Sequence, residues 1–220
     1  PQLRELAPFV FSDFLGAREV LGNPALNRST IANYDARFEL FPGANEVLAV
    51  SLFHKRFHQP IEAFIIPTSR GVLSYQNAKG AVNTGLELEG RKNLGFITKK
   101  LDEWSLLGNL ALVHSRVELD EAQGGIQTSK ERPLAGQSPF VVNFAIDWAR
   151  NKSRARVLYN VAGPRVAQVG TQGIPDMYEQ PRHIIDLSFA QGFGEHVDVK
   201  LTLDNLLDAP VRFTQGESAT

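Results

Sequence analysis

The 220-residue chain has no cysteine, which excludes a disulfide framework and any thiolate metal site. It also lacks an excess of either charge. Lys and Arg number 23 against 24 Asp and Glu, a formal net charge of −1. That balance argues against a nucleic-acid partner, whose binding faces carry a basic surplus. No apolar run approaches the roughly 20 residues that a membrane helix needs. The test is blind to membrane strands, whose apolar residues hide in alternation. The opening PQLRELAPF has no basic segment leading into an apolar core, so it does not read as a secretion signal. Nucleophile–base arrangements and paired carboxylates at catalytic spacing are missing too. Gly192-Phe193-Gly194 reads as a turn, because no helix follows to present amides to a phosphate.

What the sequence does have is alternation. Between residues 31 and 41, Ala32, Tyr34, Ala36, Phe38 and Leu40 share one parity, while Ile31, Asn33, Asp35, Arg37 and Glu39 share the other. Strand side chains alternate with period two, so this stretch has one oily and one nearly all-polar face. A Pro-Gly turn at 42–45 returns the chain into a second run, about 46–57. There Leu48, Val50 and Leu52 are placed on the oily face, in competition with Val47, Ala49 and Phe53. Val82, Thr84, Leu86 and Leu88 oppose Asn83, Gly85, Glu87, Glu89 and Arg91. Trp104, Leu106, Leu110 and Leu112 oppose Ser105, Asn109 and Ser115. Phe140, Val142, Phe144, Ile146 and Trp148 oppose Asn143, Ala145 and Asp147. Ala155, Val157, Tyr159 and Val161 oppose Arg154, Arg156 and Asn160. Ile185, Leu187 and Phe189, then Val197, Val199, Leu201 and Leu203, complete the series.

About eight or nine strands of roughly ten residues emerge. Residues 1–9 read as the end of a strand already in progress, and 208–220 as a loop. Short links at 42–45, 98–103, 151–153 and 192–196 alternate with long ones at 10–28, 59–80, 120–139 and 164–181. Antiparallel strands with every second link short put all short turns at one rim and all long loops at the other. That is the pattern of an antiparallel transmembrane β-barrel, lipid outside and water inside. A soluble β-sandwich binding module is the alternative that the strands alone leave open. Burying Asp147 in a dry sandwich core would be costly, whereas in a wet lumen it costs little.

RELAPF at 4–9, GNPAL at 22–26, the run at 33–62, NTGLELEGRKNLGF at 83–96 and DNLLDAPVRFTQG at 204–216 resemble the C-terminal barrel half of TonB-dependent outer-membrane receptors. The subfamily resembled most is the one whose plug follows a carboxypeptidase-regulatory-like domain. The resemblance implies a barrel of about 22 strands with a plugged lumen, of which this chain supplies fewer than half. Residues 1–220 are therefore expected to be a partial barrel domain in the bacterial outer membrane, with plug, first strands and last strand absent. An open sheet would leave two unpaired edges in hydrocarbon, so these residues are expected to belong to a longer chain.

The resemblance also implies a function: uptake of a scarce, bulky nutrient without covalent catalysis and without a cofactor. The long loops and the plug would catch the substrate. The implied partners are the lipid bilayer, the plug and a TonB-type energy-coupling protein acting through a region absent here. In an alternative role, as a scaffold for surface-protein assembly or secretion, a surface lipoprotein joins them.

The candidate residues follow from the two faces. Asn33, Asp35, Arg37, Glu39, Glu87, Glu89, Arg91, Asn109, Asp147, Arg154 and Arg156 are expected to face the lumen and plug. Tyr34, Phe38, Leu40, Leu86, Leu88, Leu110, Leu112, Phe144, Ile146, Tyr159, Leu187, Phe189 and Leu201 are expected to face lipid. Trp104 and Trp148, near short turns, would form an interfacial girdle. No metal site is expected. His54 and His58 have a spacing that suits zinc on a helix, but on a strand it separates them by about 13 Å. Glu118, Asp120 and Glu121 read as solvated loop acids before a hard-cation site.

Overall fold

A computed structural model describes residues 2–11, 19–68, 71–119 and 127–216. Eight strands form one antiparallel sheet: β1 (Thr30–Leu40), β2 (Val47–His58), β3 (Gly80–Asn93), β4 (Trp104–Glu118), β5 (Phe140–Arg150), β6 (Ser153–Ala162), β7 (Ile184–Phe193) and β8 (Val197–Leu203). Each pairs with the next in chain order, so the sheet is a plain meander with β1 and β8 as its edges. It is a barrel wall that does not close on itself.

Turn chemistry sorts the two ends. The three short hairpins each carry a residue in the left-handed region: Asn45 at φ 61°, Asn151 at φ 52° and Gly194 at φ 64°. Asn and Gly take that conformation most readily, which is why tight turns select them. The fourth link at this end, 94–103, is two short 3-10 turns. Asn93 ties them together, accepting from the Gly95 amide at 2.7 Å and donating to the Asp102 carbonyl at 2.7 Å.

At the other end the long connections are more structured than their Pro- and Gly-rich composition suggests. Residues 59–80, expected as a loop, hold a hairpin of Ile61–Ile66 and Val72–Asn77, which continues through Val20–Leu21 to Val10–Phe11. Likewise Arg165–Gln168 and Met177–Glu179 join Phe213–Gln215 in a three-stranded sheet, so the C-terminal segment is not wholly loop. The expected strand at 1–9 is a correction of the opposite kind. Leu3–Leu6 is one helical turn, closed by a capping box between Gln2 and Glu5. In each case a segment of two to six residues is too short for periodicity to declare its type.

Among the described residues, burial is concentrated at that end, with Ala49 and Ala145 the exceptions in the wall. Ala78, Ala81 and Val117 form a cluster under Phe57, Leu119 and Leu134, while Ile65, Val166 and Val169 are fully buried among the loop strands. Backbone bonds knit separate loops together: Ile65 donates to Val169 at 3.0 Å, Val169 to Ala63 at 3.0 Å, Val117 to Arg132 at 3.1 Å and Gly136 to Val166 at 2.8 Å. The long loops thus form a cap with its own core.

Candidate functional site: the two faces of the wall and the loop cap

Residues directly opposite on neighbouring strands point the same way, so the registers assign the faces. Phe38 pairs with Val50, Val50 with Leu88, Leu88 with Leu110 and Leu110 with Val142. A second row runs Ala36, Leu52, Leu86, Leu112 and Phe140. A third runs Leu40, Leu48, Gly90, Gly108, Phe144, Tyr159 and Ile185. Nearer the short turns, Leu106, Ile146, Val157, Leu187 and Leu203 align, as do Trp104, Trp148, Ala155, Phe189 and Leu201. Tyr34 lies on the same face opposite His54. Every apolar candidate therefore falls on one face, and the even set of β2 joins it. Large side chains on this face stand open: Phe38 is 66% exposed and Leu52 59%. Such an extended apolar surface has no stable place in water.

The opposite face collects all eleven polar candidates. Glu39, Glu89 and Asn109 lie in one row with Ala49 between the two acids; Arg37 and Glu87 flank Ser51 in the next. Ala49 and Ser51 are small, which lets Arg37 reach over β2. It bonds Glu39 at 2.5 Å on its own strand and Glu89 at 2.6 Å on β3, and donates to Ser51 at 3.1 Å. Arg156 and Asp147, paired across β5 and β6, make a bidentate ion pair at 2.6 and 2.7 Å. Asn160 bonds Asn143 at 2.6 Å. Arg91 and Arg154 border a cleft with Lys200 at the short-turn side. Asn33 faces Lys55 and Asp35 faces Phe53 across β1 and β2. The Phe53 ring in turn lies over Gly85, where any Cβ would come within 2.3 Å of it.

Trp104 and Trp148 are directly paired, with ring centroids 6.5 Å apart, and Trp148 Nε1 donates to Glu103 at 3.1 Å. His54 bonds Thr84, not a second histidine, at 2.8 Å. Among the described residues no group of three His, Cys, Asp or Glu could hold a metal. Asp120 and Glu121 lie outside the described residues.

The cap holds the polar groups that alternation could not find. Glu62 and Arg132 form a bidentate pair at 2.7 Å in both arms, with side chains 0% and 1% exposed. Arg132 also donates to Gln127 at 2.8 Å, and Glu62 accepts from the Ala135 amide at 2.9 Å. Thr171 donates to the Ile65 carbonyl, and buried Asp176 accepts from the Gly170 amide at 2.7 Å. Burial raises the Tyr178 phenol above its ordinary range; Asp176 adds to the effect and Arg132 opposes it. Below the cap, Gln137 meets the polar face of the wall through Asn83 at 2.8 Å, and Asn83 accepts from Ser115 at 2.6 Å. One sequence signal existed. Glu62 sits in the apolar run IEAFII, and an acid there needs a buried partner. That partner is 70 residues away, beyond the reach of periodicity.

A sheet apolar on one face, ion-paired on the other, with tight turns at one rim and a loop cap at the other, defines the wall of a transmembrane β-barrel. A family model described as TonB dependent receptor-like, beta-barrel, matches residues 1–206, and the chain belongs to that family. No curated protein sequence matches it. Among solved structures, the chain is similar to the ferric enterobactin receptor of Pseudomonas aeruginosa (17% identity, TM-score 0.57). The alignment covers 94% of this chain and 31% of that one. It is similar to the siderophore receptor PirA of the same organism at 19% identity and TM-score 0.56, covering 94% and 34%. It is similar to the copper transporter OprC at 16% identity and TM-score 0.60, covering 84% and 26%. The chain spans about a third or less of the length of these structures. Family membership makes this stretch part of an outer-membrane β-barrel.

Proposed function

We propose that this chain is part of the wall and loop cap of a TonB-dependent outer-membrane transport receptor for a scarce, bulky nutrient. The apolar rows meet lipid. The polar rows line a hydrated lumen that a plug fills, and Trp104 and Trp148 sit at the interface on the short-turn side. The other strands, which continue from β1 and β8, close the barrel, because unpaired sheet edges cannot stand in hydrocarbon. One observation carries this reading: in every register the apolar candidates share one face and the ion-paired candidates the other.

The cap is where the nutrient is first held. It is a prebuilt surface, tied together by Glu62, Arg132 and the inter-loop backbone bonds, so binding costs little ordering. Energy arrives through a TonB-type partner acting on the plug. The reading is tested by whole-cell accumulation of labelled ferric chelates, cobalamin, oligosaccharides and peptides. The cells compared carry the gene, lack it, or lack the energy-coupling protein. Loss of accumulation of one ligand class in both deletion strains is the expected result; equal accumulation of every class in all three overturns it.

A further inference from the structure

Along the apolar face, the side chains change character toward the long-loop end. Above the row containing Leu52, Leu86 and Leu112 comes Tyr34, His54, Thr84 and His114, and above that Ala32, Arg56, Val82 and Arg116. Arg56 and Arg116 are exposed and point the same way as Leu86, two rows above it, with only Val82 between them. Arg56 Nε donates to His54 Nε2 at 3.2 Å, which holds its guanidinium along the face. A groove of about 560 Å³ is lined by Lys79, Val82, Arg116, Leu119 and Lys130 together with the carboxylates of Glu118 and Glu131. Arg116 meets Glu131 at 3.4 Å, but those side chains are 67% and 83% exposed, so the pair is weak and easily exchanged. Among the described residues the groove lining holds three cations against two carboxylates, and Arg56 adds a fourth cation beyond Val82 on the same face. One row, Tyr34, His54, Thr84 and His114, separates this level from the leucines below.

The geometry points to a binding site for a phosphate-bearing lipid headgroup at this rim, with Lys79, Arg116, Lys130 and Arg56 as its cationic ligands and the Leu52–Leu86–Leu112 row beneath as the seat of its acyl chains. The inference rests on the reading that the apolar face meets lipid. Continuity with that face favours a lipid over a soluble anion. A free phosphate would gain the charges but not the apolar contact, whereas a lipid gains both. A basic side chain near a membrane surface attracts anionic lipid by about fivefold in affinity.

The full receptor, reconstituted in nanodiscs mixing dioleoylphosphatidic acid with dioleoylphosphatidylcholine, tests this by native mass spectrometry of retained lipid. The receptor is expected to enrich phosphatidic acid. The triple variant K79Q/R116Q/K130Q should lose that enrichment by tenfold or more, and R91Q/R154Q, on the other face, should keep it. Glycerol phosphate added at equal concentration should not displace the lipid. Equal retention by wild type and triple variant overturns the site, as does displacement by glycerol phosphate, which assigns the groove to a soluble anion. Heat-modifiability gels confirm that each variant forms a barrel. A wild-type receptor that stays out of nanodiscs altogether overturns the underlying lipid-face reading instead.

Discussion

The wall and the cap are built from the same kind of strand, yet they are stabilised in opposite ways. Among the described residues, the buried apolar side chains are at the cap end except Ala49 and Ala145, and the buried polar ones are all there. The wall has exposed leucines on one face and half-open ion pairs on the other. In the proposed receptor, a wall with no core takes its stability from what surrounds it: lipid on one side, water and plug on the other. The cap is built like a small globular domain, with buried apolar side chains and a charged pair inside it.

The largest effect that would sharpen this contrast is in the cap. Arg132→Met leaves Glu62 buried without its partner and should destabilise the cap by about 3–5 kcal/mol. Glu62→Leu combined with Arg132→Met should recover most of that loss. Limited proteolysis of the full receptor reads this out, with cleavage in the loops of the single variant while the barrel still resists heat in detergent. If both variants were cut alike, the pair would not be what holds the cap.

In the wall, Phe38→Arg should impair assembly by about 2–4 kcal/mol, because it places a cation near mid-strand on the apolar face. Asp35→Asn, on the polar face, should leave assembly intact. Heat-modifiability gels compare them, and a silent Phe38 change beside a disruptive Asp35 change would reverse the faces. Gly85→Val should cost less, about 1–3 kcal/mol, since Phe53 and the Leu112 carbonyl occupy the space. Phe53→Ala in the same background should relieve part of it, measured by urea unfolding in detergent.

The smallest effect lies at the short turns. The hydrogen bond from Lys92, at 2.6 Å, holds Glu46 below the ordinary carboxylate range, with help from the Asn93 amide. A depressed folded pKa contributes stability that is complete above the unfolded value of about 4.5. It fades as pH falls through the lower folded value. Glu46→Gln should therefore flatten the acid side of the stability profile below about pH 4.5 and leave other regions of it unchanged.

The wall was legible in the sequence because its rule is local. Parity within each ten-residue run separated Leu88 from Glu89 and Ile146 from Asp147, and link lengths sorted the two rims. The ambiguous strand, with Val47, Ala49 and Phe53 as rivals, was settled only by pairing with Phe38 and Leu88, a non-local fact. The cap was not legible for the same reason. Its strands are two to six residues long, its partners come from different loops, and Arg132 finds Glu62 only after the intervening strands are in place. Leu3–Leu6 shows the limit plainly, since four residues can form one helical turn or one strand end with equal ease.

The central claim is that the apolar rows touch acyl chains while the polar rows border a hydrated, plugged interior. This stretch has no cysteine of its own, so single cysteines can be placed at Leu88, Glu89, Asn109 and Leu110 in the full receptor and spin-labelled. Power-saturation measurements in lipid should show labels at 88 and 110 relaxed by oxygen and shielded from a water-soluble nickel chelate. Labels at 89 and 109 should show the reverse or be shielded from both. Equal accessibility of neighbouring positions, or oxygen contact at 89 and 109 alone, would contradict the account.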